Sequence, residues 1–265
     1  MTWPMDHLHL AVRSIDSSIT FYKEVLGFEV KSLESYVCLT PRGADRCIVY
    51  LEEDRLPYNK ENYIYHFALL LPSRADLGAL LEKVLDRWDN IEGYADHLVS
   101  EAVYIRDPDN IGIEIYSDRD KTRWARDSKG HVVMDTLPLD IDDLVLYGRR
   151  FGGRDYIPSG TLFGHIHLRG TNPGLAGGFY SDVLGMRLTG VWFGARFLAY
   201  GDYHHHVAIN NWPIPTPSPG SGLKSYAVNL NDMGVKLENV QLISESLCGA
   251  RGIIIDPNGF KIEIL

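Results

Sequence analysis

HLHLAV at residues 7–12 and FYKEVLG at residues 21–27 decide how this chain folds, because each returns later in nearly the same form. HIHL at residues 165–168 and FYSDVLG at residues 179–185 follow at a constant offset of 158 residues (165 − 7 and 179 − 21). The alternation in HLHLAV predicts a strand, and FYKEVLG, which closes on a glycine, predicts the end of a helix. The chain is therefore an internal duplication.

The duplication continues to the end of each copy. DPDN ahead of Glu114 recurs as DPNG ahead of Glu263, at an offset of 149 residues (263 − 114). The second copy is thus shorter internally by nine residues (158 − 149). In the middle of the copies, YHFAL aligns with SYAV, which places His66 opposite Ser225.

The second copy lacks a histidine at one of the three positions that could bind a metal. The equivalent sets are His7, His66 and Glu114 in the first copy, and His165, Ser225 and Glu263 in the second. Alternation puts each of these residues on one face of its strand. Two imidazoles and one carboxylate form a facial triad that suits non-haem Fe(II), whereas a serine hydroxyl is a weak ligand. The sequence predicts one metal site per chain, formed by the first set.

Composition narrows the class of protein. The chain has 265 residues, 45% of them hydrophobic, and a formal net charge of −9. This charge disfavours nucleic acid and anionic membranes as partners. An apolar run of the roughly 20 residues that span a bilayer is missing, and the first residues do not resemble a signal peptide, so we expect a cytoplasmic protein. The three cysteines, at 38, 47 and 248, lack CxxC spacing, and we expect neither a disulfide nor a thiolate zinc site.

Within each copy a strand–helix–three-strand pattern occurs twice. In the first copy, residues 63–71 predict a strand and residues 73–88 an amphipathic helix, before two further strands that flank the DPDN turn. The predicted fold class is α+β with four βαβββ modules. We expect one domain over residues 1–120, a connector over 121–160 and a second domain over 161–265.

These motifs resemble the vicinal oxygen chelate superfamily, which contains glyoxalase I, bleomycin-resistance proteins and extradiol ring-cleaving dioxygenases. HLHLAV, FYKEVLGF, YHFALLLP and the DPDN-x-GIEIY ending carry the resemblance, which spans nearly the whole chain outside the connector. DHLVSEA at residues 96–102, YSDR at 116–119 and YHHH at 203–206 are similar to the CatE-type catechol 2,3-dioxygenases of Gram-positive bacteria.

The resemblance implies that two modules form a half-open barrel around the metal. His7, His66 and Glu114 match its ligand positions, and Fe(II) or Mn(II) is the implied ion. The implied reaction is extradiol cleavage of a catechol-like or hydroquinone-like aromatic by O2. The sequence does not determine the oligomeric state, and a homo-oligomer is one of the states it allows.

Further site residues follow from the same comparison. His97, ahead of the last hairpin of the first copy, is predicted to be the catalytic acid–base group, because imidazole titrates near neutral pH. Tyr104 matches a tyrosine that hydrogen-bonds the substrate in ring-cleaving relatives. His9 and Tyr50 are predicted to bind substrate, His9 because it lies two residues from His7 on the same face. His167 holds the place of His9 in the second copy.

In this interpretation the second copy binds no metal. His205 matches a pocket histidine of the ring-cleaving enzymes, but it lies in the copy with the broken triad, and its counterpart in the first copy is Cys47 (205 − 158).

Two alternative functions remain. A glyoxalase I-type lyase or isomerase needs a second glutamate ligand, where Tyr50 stands and which Glu52 could supply after a shift of two residues. A non-enzymatic binder of small molecules commonly lacks the triad.

Overall fold

The computed structural model describes residues 3–57, 59–231, 233, 235 and 250–265. The strands and helices of the first half are β1 Met5–Val12, α1 Ile15–Thr20, β2 Glu29–Ser32, β3 Val37–Thr40, β4 Val49–Glu53, β5 Tyr63–Leu70, α2 Arg74–Arg87, β6 Ile91–Asp96, β7 Ser100–Arg106 and β8 Gly112–Asp118. The connector contains α3 Ile141–Phe151. The second half comprises β9 Leu162–Arg169, α4 Pro173–Asp182, β10 Arg187–Trp192, β11 Ala195–Ala199, β12 Val207–Asn210, β13 Gly222–Val228, β14 Gly252–Ile255 and β15 Lys261–Ile264.

Local sequence signals explain where the helices begin and end. Ser73 caps α2 by accepting a hydrogen bond from the backbone N–H of Asp76. The carboxylate of Asp76 itself lies in the first turn, where a negative charge stabilises a helix. Gly27 follows the helical segment Phe21–Val25, which continues α1, and Gly185 follows α4, with φ values of 75° and 67°. Only glycine adopts this left-handed conformation at little cost, so both copies stop their first helix by the same device.

The strands form two curled sheets, and the predicted α+β fold of βαβββ modules is confirmed. One sheet has seven strands in the order β14-β15-β13-β1-β4-β3-β2, and the other has eight in the order β10-β11-β12-β9-β5-β8-β7-β6. The first three modules each supply four strands. The helix that the repeat predicts between β13 and β14 falls outside the described residues.

The two halves of the chain are paired differently from the predicted domains. β1 pairs antiparallel with β13, and β5 pairs antiparallel with β9. The seven-stranded sheet therefore joins the first module to the fourth, and the eight-stranded sheet joins the second module to the third. The ranges 1–120 and 161–265 each contribute to both sheets. Backbone hydrogen bonds allow the first strand of a module to pair with any equivalent strand, so the repeat alone does not identify the partner.

The largest hydrophobic core runs between the sheets and the helices. Leu8 of β1, Phe67 of β5, Ile166 of β9 and Tyr226 of β13 are all fully buried within it. Each sheet buries one face against this shared core, while its other face curls into a cup. Within the described ranges, no helix combines the length and the apolar character needed to cross a bilayer.

The expectation that the cysteines stay unpaired is corrected for two of them. Cys38 on β3 and Cys47, just before β4, form a disulfide, with their Cα atoms 5.6 Å apart. β3 and β4 are antiparallel neighbours, and this spacing lies within the range that a disulfide spans. Cys248 lies outside the described residues.

Candidate metal centre and cavity

The cup of the eight-stranded sheet brings together two histidines and one glutamate. On β5, His66 and Ala68 share one face of the strand. Glu114 of β8 and His165 of β9 are the register partners of Ala68 on its two sides. Because alanine is small, the Glu114 and His165 side chains meet in front of it, beside His66.

Their ligand atoms converge closely. Oε2 of Glu114 lies 3.0 Å from Nε2 of His66 and 3.1 Å from Nε2 of His165. All three side chains are buried, and their ligand atoms lie within 4.8 Å of one another. Among the described residues, this is the group of histidine, cysteine and acidic side chains whose geometry could hold a metal ion.

The protonation states of two of these residues suit metal binding. Burial lowers the pKa of His66, although Glu114 acts in the opposite direction, so the imidazole is neutral at neutral pH. Burial by itself would raise the pKa of Glu114, but His165 and His66 hold that pKa well below its usual range. A neutral imidazole and an ionised carboxylate are the forms that coordinate metals.

The predicted ligand His7 lies elsewhere. It belongs to the cup of the seven-stranded sheet, where its Nε2 atom is 3.9 Å from Oε2 of Glu263. The third position of that cup is Ser225, which donates a hydrogen bond of 2.6 Å to Oε1 of Glu263. The structure therefore does not unite the predicted set of His7, His66 and Glu114. His165 takes the place of His7, because β9, not β1, lies beside β5.

His9 and Tyr50, the predicted substrate-binding residues, surround His7 instead. Nε2 of His9 lies 3.0 Å from a carboxylate oxygen of Glu52, and the ring of Tyr50 lies 5.0 Å from the ring of His7. The same strand pairing explains their location, since His9 lies on β1 and Tyr50 on its parallel neighbour β4, and both strands belong to the seven-stranded sheet. The structure thus separates them from the centre formed by His66, Glu114 and His165.

A cavity of about 390 Å³ opens in front of the metal centre. Its walls combine aromatic side chains with a few polar groups, and they come from the second module, the connector and the third module. The lining residues are Tyr65, His66, Glu92, Gly93, Tyr94, Ala95, His97, Val99, Ser100, Tyr104, Glu114, Met134, Thr136, His167, Trp192, Phe197, His204, His205 and Trp212.

His97 and Tyr104 both line this cavity and contact each other. Nε2 of His97 lies 2.6 Å from the Tyr104 hydroxyl, and Nδ1 of His97 lies 2.7 Å from the carbonyl oxygen of Asp135. The carbonyl can only accept, so Nδ1 carries the proton and Nε2 accepts from the tyrosine. Burial first, and Glu114 second, raise the pKa of Tyr104 well above its usual value, so its hydroxyl stays protonated.

Two histidines of the third module complete the site. His167 hydrogen-bonds Asn210, its Nε2 atom lying 2.7 Å from the amide nitrogen. The His205 ring lies 4.2 Å from that of His165, and Nδ1 of His205 lies 2.8 Å from Nδ1 of His204. The sequence analysis matched His205 to a pocket histidine but placed it in the copy that was predicted to bind no metal. The missing signal was the pairing of β5 with β9.

Comparisons with known proteins support this architecture. Residues 5–115 match the family described as the Glyoxalase/Bleomycin resistance protein/Dioxygenase superfamily. The chain is 40% identical over 232 residues to Catechol-2,3-dioxygenase of Bacillus subtilis (strain 168), covering 83% of this chain and 80% of that protein. The chain therefore belongs to the glyoxalase/bleomycin resistance/dioxygenase superfamily. The resemblance to catechol 2,3-dioxygenases drawn from its motifs is confirmed by this relative.

Solved structures share the fold at low sequence identity. Glyoxalase I from Zea mays matches with a TM-score of 0.57 and 17% identity, over 98% of this chain and 91% of that one. A Bacillus subtilis protein provisionally described as a dioxygenase matches with a TM-score of 0.63 and 12% identity, over 99% of this chain and 84% of that one. At these identities the structures support the fold alone.

Proposed function

We propose that the protein is an extradiol dioxygenase that cleaves a catechol-like or hydroquinone-like aromatic with O2, using a divalent metal held by His66, Glu114 and His165. The observation that carries the proposal is the convergence of these three buried side chains, two of which, His66 and Glu114, line an aromatic-walled cavity. The 40% identical relative named Catechol-2,3-dioxygenase supports the same reaction class.

The donor set fits Fe(II) or Mn(II). Two imidazole nitrogens and one carboxylate leave further coordination positions open, as in the facial triads of non-haem oxygenases. When bound, the metal would supply a common site for the diol and O2 and would mediate electron transfer between them. The carbon–carbon bond beside the diol breaks in this reaction, and both oxygen atoms of O2 enter the product.

His205 is the residue we assign to accept the proton of the substrate hydroxyl. It lines the cavity next to His165, and burial lowers its pKa well below the usual value, with His165 and His204 acting in the same direction. The ring is therefore neutral and able to take a proton. Among the described residues its side chain forms one hydrogen bond, through Nδ1 to His204.

His97 and Tyr104 act together in this proposal. Both ring nitrogens of His97 are engaged, by Asp135 and by Tyr104, so the ring has no nitrogen left to act on substrate. Its role is to orient the Tyr104 hydroxyl. Tyr104 remains protonated, and its proton is donated to His97, so its oxygen can accept a hydrogen bond from a hydroxyl of the bound diol.

The walls of the cavity suit a planar ring. Trp192 and Phe197 pack edge to face with ring centroids 5.3 Å apart, and Trp212 lies 5.7 Å from the ring of His167. Aromatic walls of this kind bind flat apolar molecules while the polar floor fixes their orientation. The cavity volume of about 390 Å³ accommodates a single substituted ring.

The experiment is anaerobic loading of the purified protein with Fe(II), Mn(II) or Zn(II), followed by O2-uptake measurements. The panel contains catechol, 4-methylcatechol, hydroquinone and methylhydroquinone. We expect O2 consumption, and a yellow ring-opened product from the catechols, with Fe(II) or Mn(II) but not with Zn(II). Absence of O2 uptake with every diol and both redox metals would overturn the proposal.

A glyoxalase I-type reaction is disfavoured by one position of the active cup. That reaction needs a second glutamate ligand, for which Glu52 was the candidate in the first copy. Glu52 lies in the other cup, paired with His9 and Lys224. Its equivalent beside the metal centre is Asn210 (52 + 158), which contacts His167 instead. The three-ligand set likewise disfavours a binder without a metal.

A further inference from the structure

We propose that Asp118 and His204 are positioning residues that fix the tautomer of His205 and keep its cavity-facing nitrogen free to accept a proton. This inference rests on the proposed function, because it gives His205 the task of proton acceptor. Asp118 lies in the YSDR motif and His204 in the YHHH motif, but the sequence assigned neither of them a role, and neither belongs to the metal-ligand group.

The three side chains form a continuous line from the end of β8 to the cavity. Nδ1 of His205 lies 2.8 Å from Nδ1 of His204, and Nε2 of His204 lies 3.4 Å from Oδ1 of Asp118. The two imidazoles are buried, and the side chain of Asp118 is only 14% exposed. The hydroxyl of Tyr203 donates to the same Asp118 oxygen at 3.2 Å, which holds the carboxylate in place.

The irregular backbone before β12 makes this contact available. In a regular strand, consecutive side chains point to opposite faces. His204 and His205 precede the first residue of β12, Val207, and their rings lie 4.6 Å apart. The sequence HHH therefore provides a pair of adjacent, mutually bonded imidazoles instead of an inward and an outward one.

Counting protons along the line determines the tautomers. An ionised carboxylate only accepts hydrogen bonds, so Asp118 favours a proton on Nε2 of His204. In a neutral imidazole the other nitrogen is then bare, and Nδ1 of His204 becomes an acceptor. The short Nδ1–Nδ1 contact requires one proton, which must be carried by His205. Nε2 of His205 is consequently the unprotonated nitrogen.

The carboxylate has a second effect during the reaction. When Nε2 of His205 takes the proton of a substrate hydroxyl, the ring gains a positive charge. The negative charge of Asp118, 3.4 Å beyond Nε2 of His204, lowers the cost of forming this buried cation. No proton needs to reach Asp118 for this stabilisation, as in other carboxylate–histidine pairs.

Kinetic measurements on four variants test the role. His204→Leu removes the hydrogen-bond partner, whereas His204→Gln can still accept from His205 and donate to Asp118. We expect His204→Leu to lower kcat by about 10²-fold with KM and metal content unchanged, and His204→Gln to recover most of it. Asp118→Asn should lower kcat by about tenfold. Asp202→Asn is the matched control, since Asp202 is 90% exposed and faces solvent; it should leave kcat unchanged.

A second measurement reads the tautomer directly, without turnover. In ¹⁵N-labelled metal-free protein, histidine ring shifts distinguish a proton on Nδ1 from one on Nε2, and a His205→Gln variant assigns the signal. We expect Nδ1–H in the wild type and loss of this preference in His204→Leu. An Nε2–H tautomer of His205 in the wild type, or unchanged kcat in His204→Leu, would overturn the inference. If no diol is consumed, the proposed function fails separately and the tautomer measurement alone decides.

Discussion

Nε2 of His165 lies 3.1 Å from Oε2 of Glu114, although the two residues belong to different copies of the duplicated sequence. The contact exists because β9 of the second half pairs with β5 of the first, which in turn pairs with β8. The candidate metal centre is thus shared between the halves of the chain: His66 belongs to the first copy and His165 to the second.

This arrangement predicts opposite outcomes for two equivalent histidines. His165→Asn should lower metal affinity by at least about 100-fold and abolish turnover, because asparagine is too short to replace Nε2 and two ligands hold a divalent ion poorly. His7→Asn is the matched control. It keeps a hydrogen-bond donor for Asp6 and should retain metal and activity. Metal analysis after dialysis checks both, and metal loss in His7→Asn would contradict the assignment.

The small side chain of Ala68 should be needed for the ligands beside it to converge. Both Glu114 and His165 are its register partners, so a larger side chain would occupy the space in which they meet. We expect Ala68→Val to weaken metal binding by about 10- to 100-fold with a modest loss of stability.

Ala227 provides the control for Ala68. It holds the same register position opposite Glu263 in the other cup and is equally buried. Ala227→Val should cost similar stability in urea unfolding but leave metal affinity unchanged. Equal effects of the two substitutions on metal binding would show that the alanine matters only for packing.

The cup of the seven-stranded sheet lacks one metal ligand, and adding a histidine there should create a second metal site. Ser225 already faces Glu263, and His7 lies 3.9 Å from the same carboxylate. Ser225→His should therefore raise the number of bound divalent ions from one to two per chain, as measured by metal analysis after loading. Ser225→Asn is the control, and a single ion in the histidine variant would show that His7 and Glu263 are misaligned.

Tyr104→Phe should separate substrate orientation from metal binding. The hydroxyl contacts His97 but is not among the metal-ligand atoms. We expect full metal content with kcat lower by about 10²-fold, because a hydrogen bond to the reacting diol is lost. His97→Ala should keep the metal and give a smaller decrease. Loss of metal in either variant would contradict these roles.

Acid should destabilise the metal-free protein through its buried histidines. Burial lowers the pKa values of His167, His205 and His206 well below the usual value. The unfolded chain then binds more protons than the folded one below about pH 6.5, so stability is constant above that pH and falls below it. Each group contributes a slope of up to about 1.4 kcal/mol per pH unit. Urea unfolding between pH 5 and 7.5 measures this loss.

His206→Asn tests the contribution of one group to that slope. Asparagine can still accept the hydrogen bond that the backbone N–H of Tyr200 donates to His206. The variant should unfold with a shallower pH dependence below pH 6.5 than the wild type. An identical slope would mean that His206 remains neutral in both states or charged in both.

The sequence predicted most of the local structure and part of the site. The repeat correctly indicated the modules, the helix after Ser73 and the glycine stops, because these depend on neighbouring residues. His66 and Glu114 were matched correctly to each other, since they lie within one module. Which first strand pairs with β5 depends on tertiary packing of near-identical edges, and alternation along a strand carries no information about that choice.

The pairing of β1 with β13 has a consequence for biosynthesis. Met5 lies beside Val228, so the first strand made must wait for more than two hundred further residues before its antiparallel neighbour exists. β5 likewise waits for β9. During translation the leading half therefore carries open strand edges, which are prone to mispairing. Refolding should be slow for a chain of this size, because so many contacts join distant residues. A fragment ending before residue 160 would have no finished sheet to fold into.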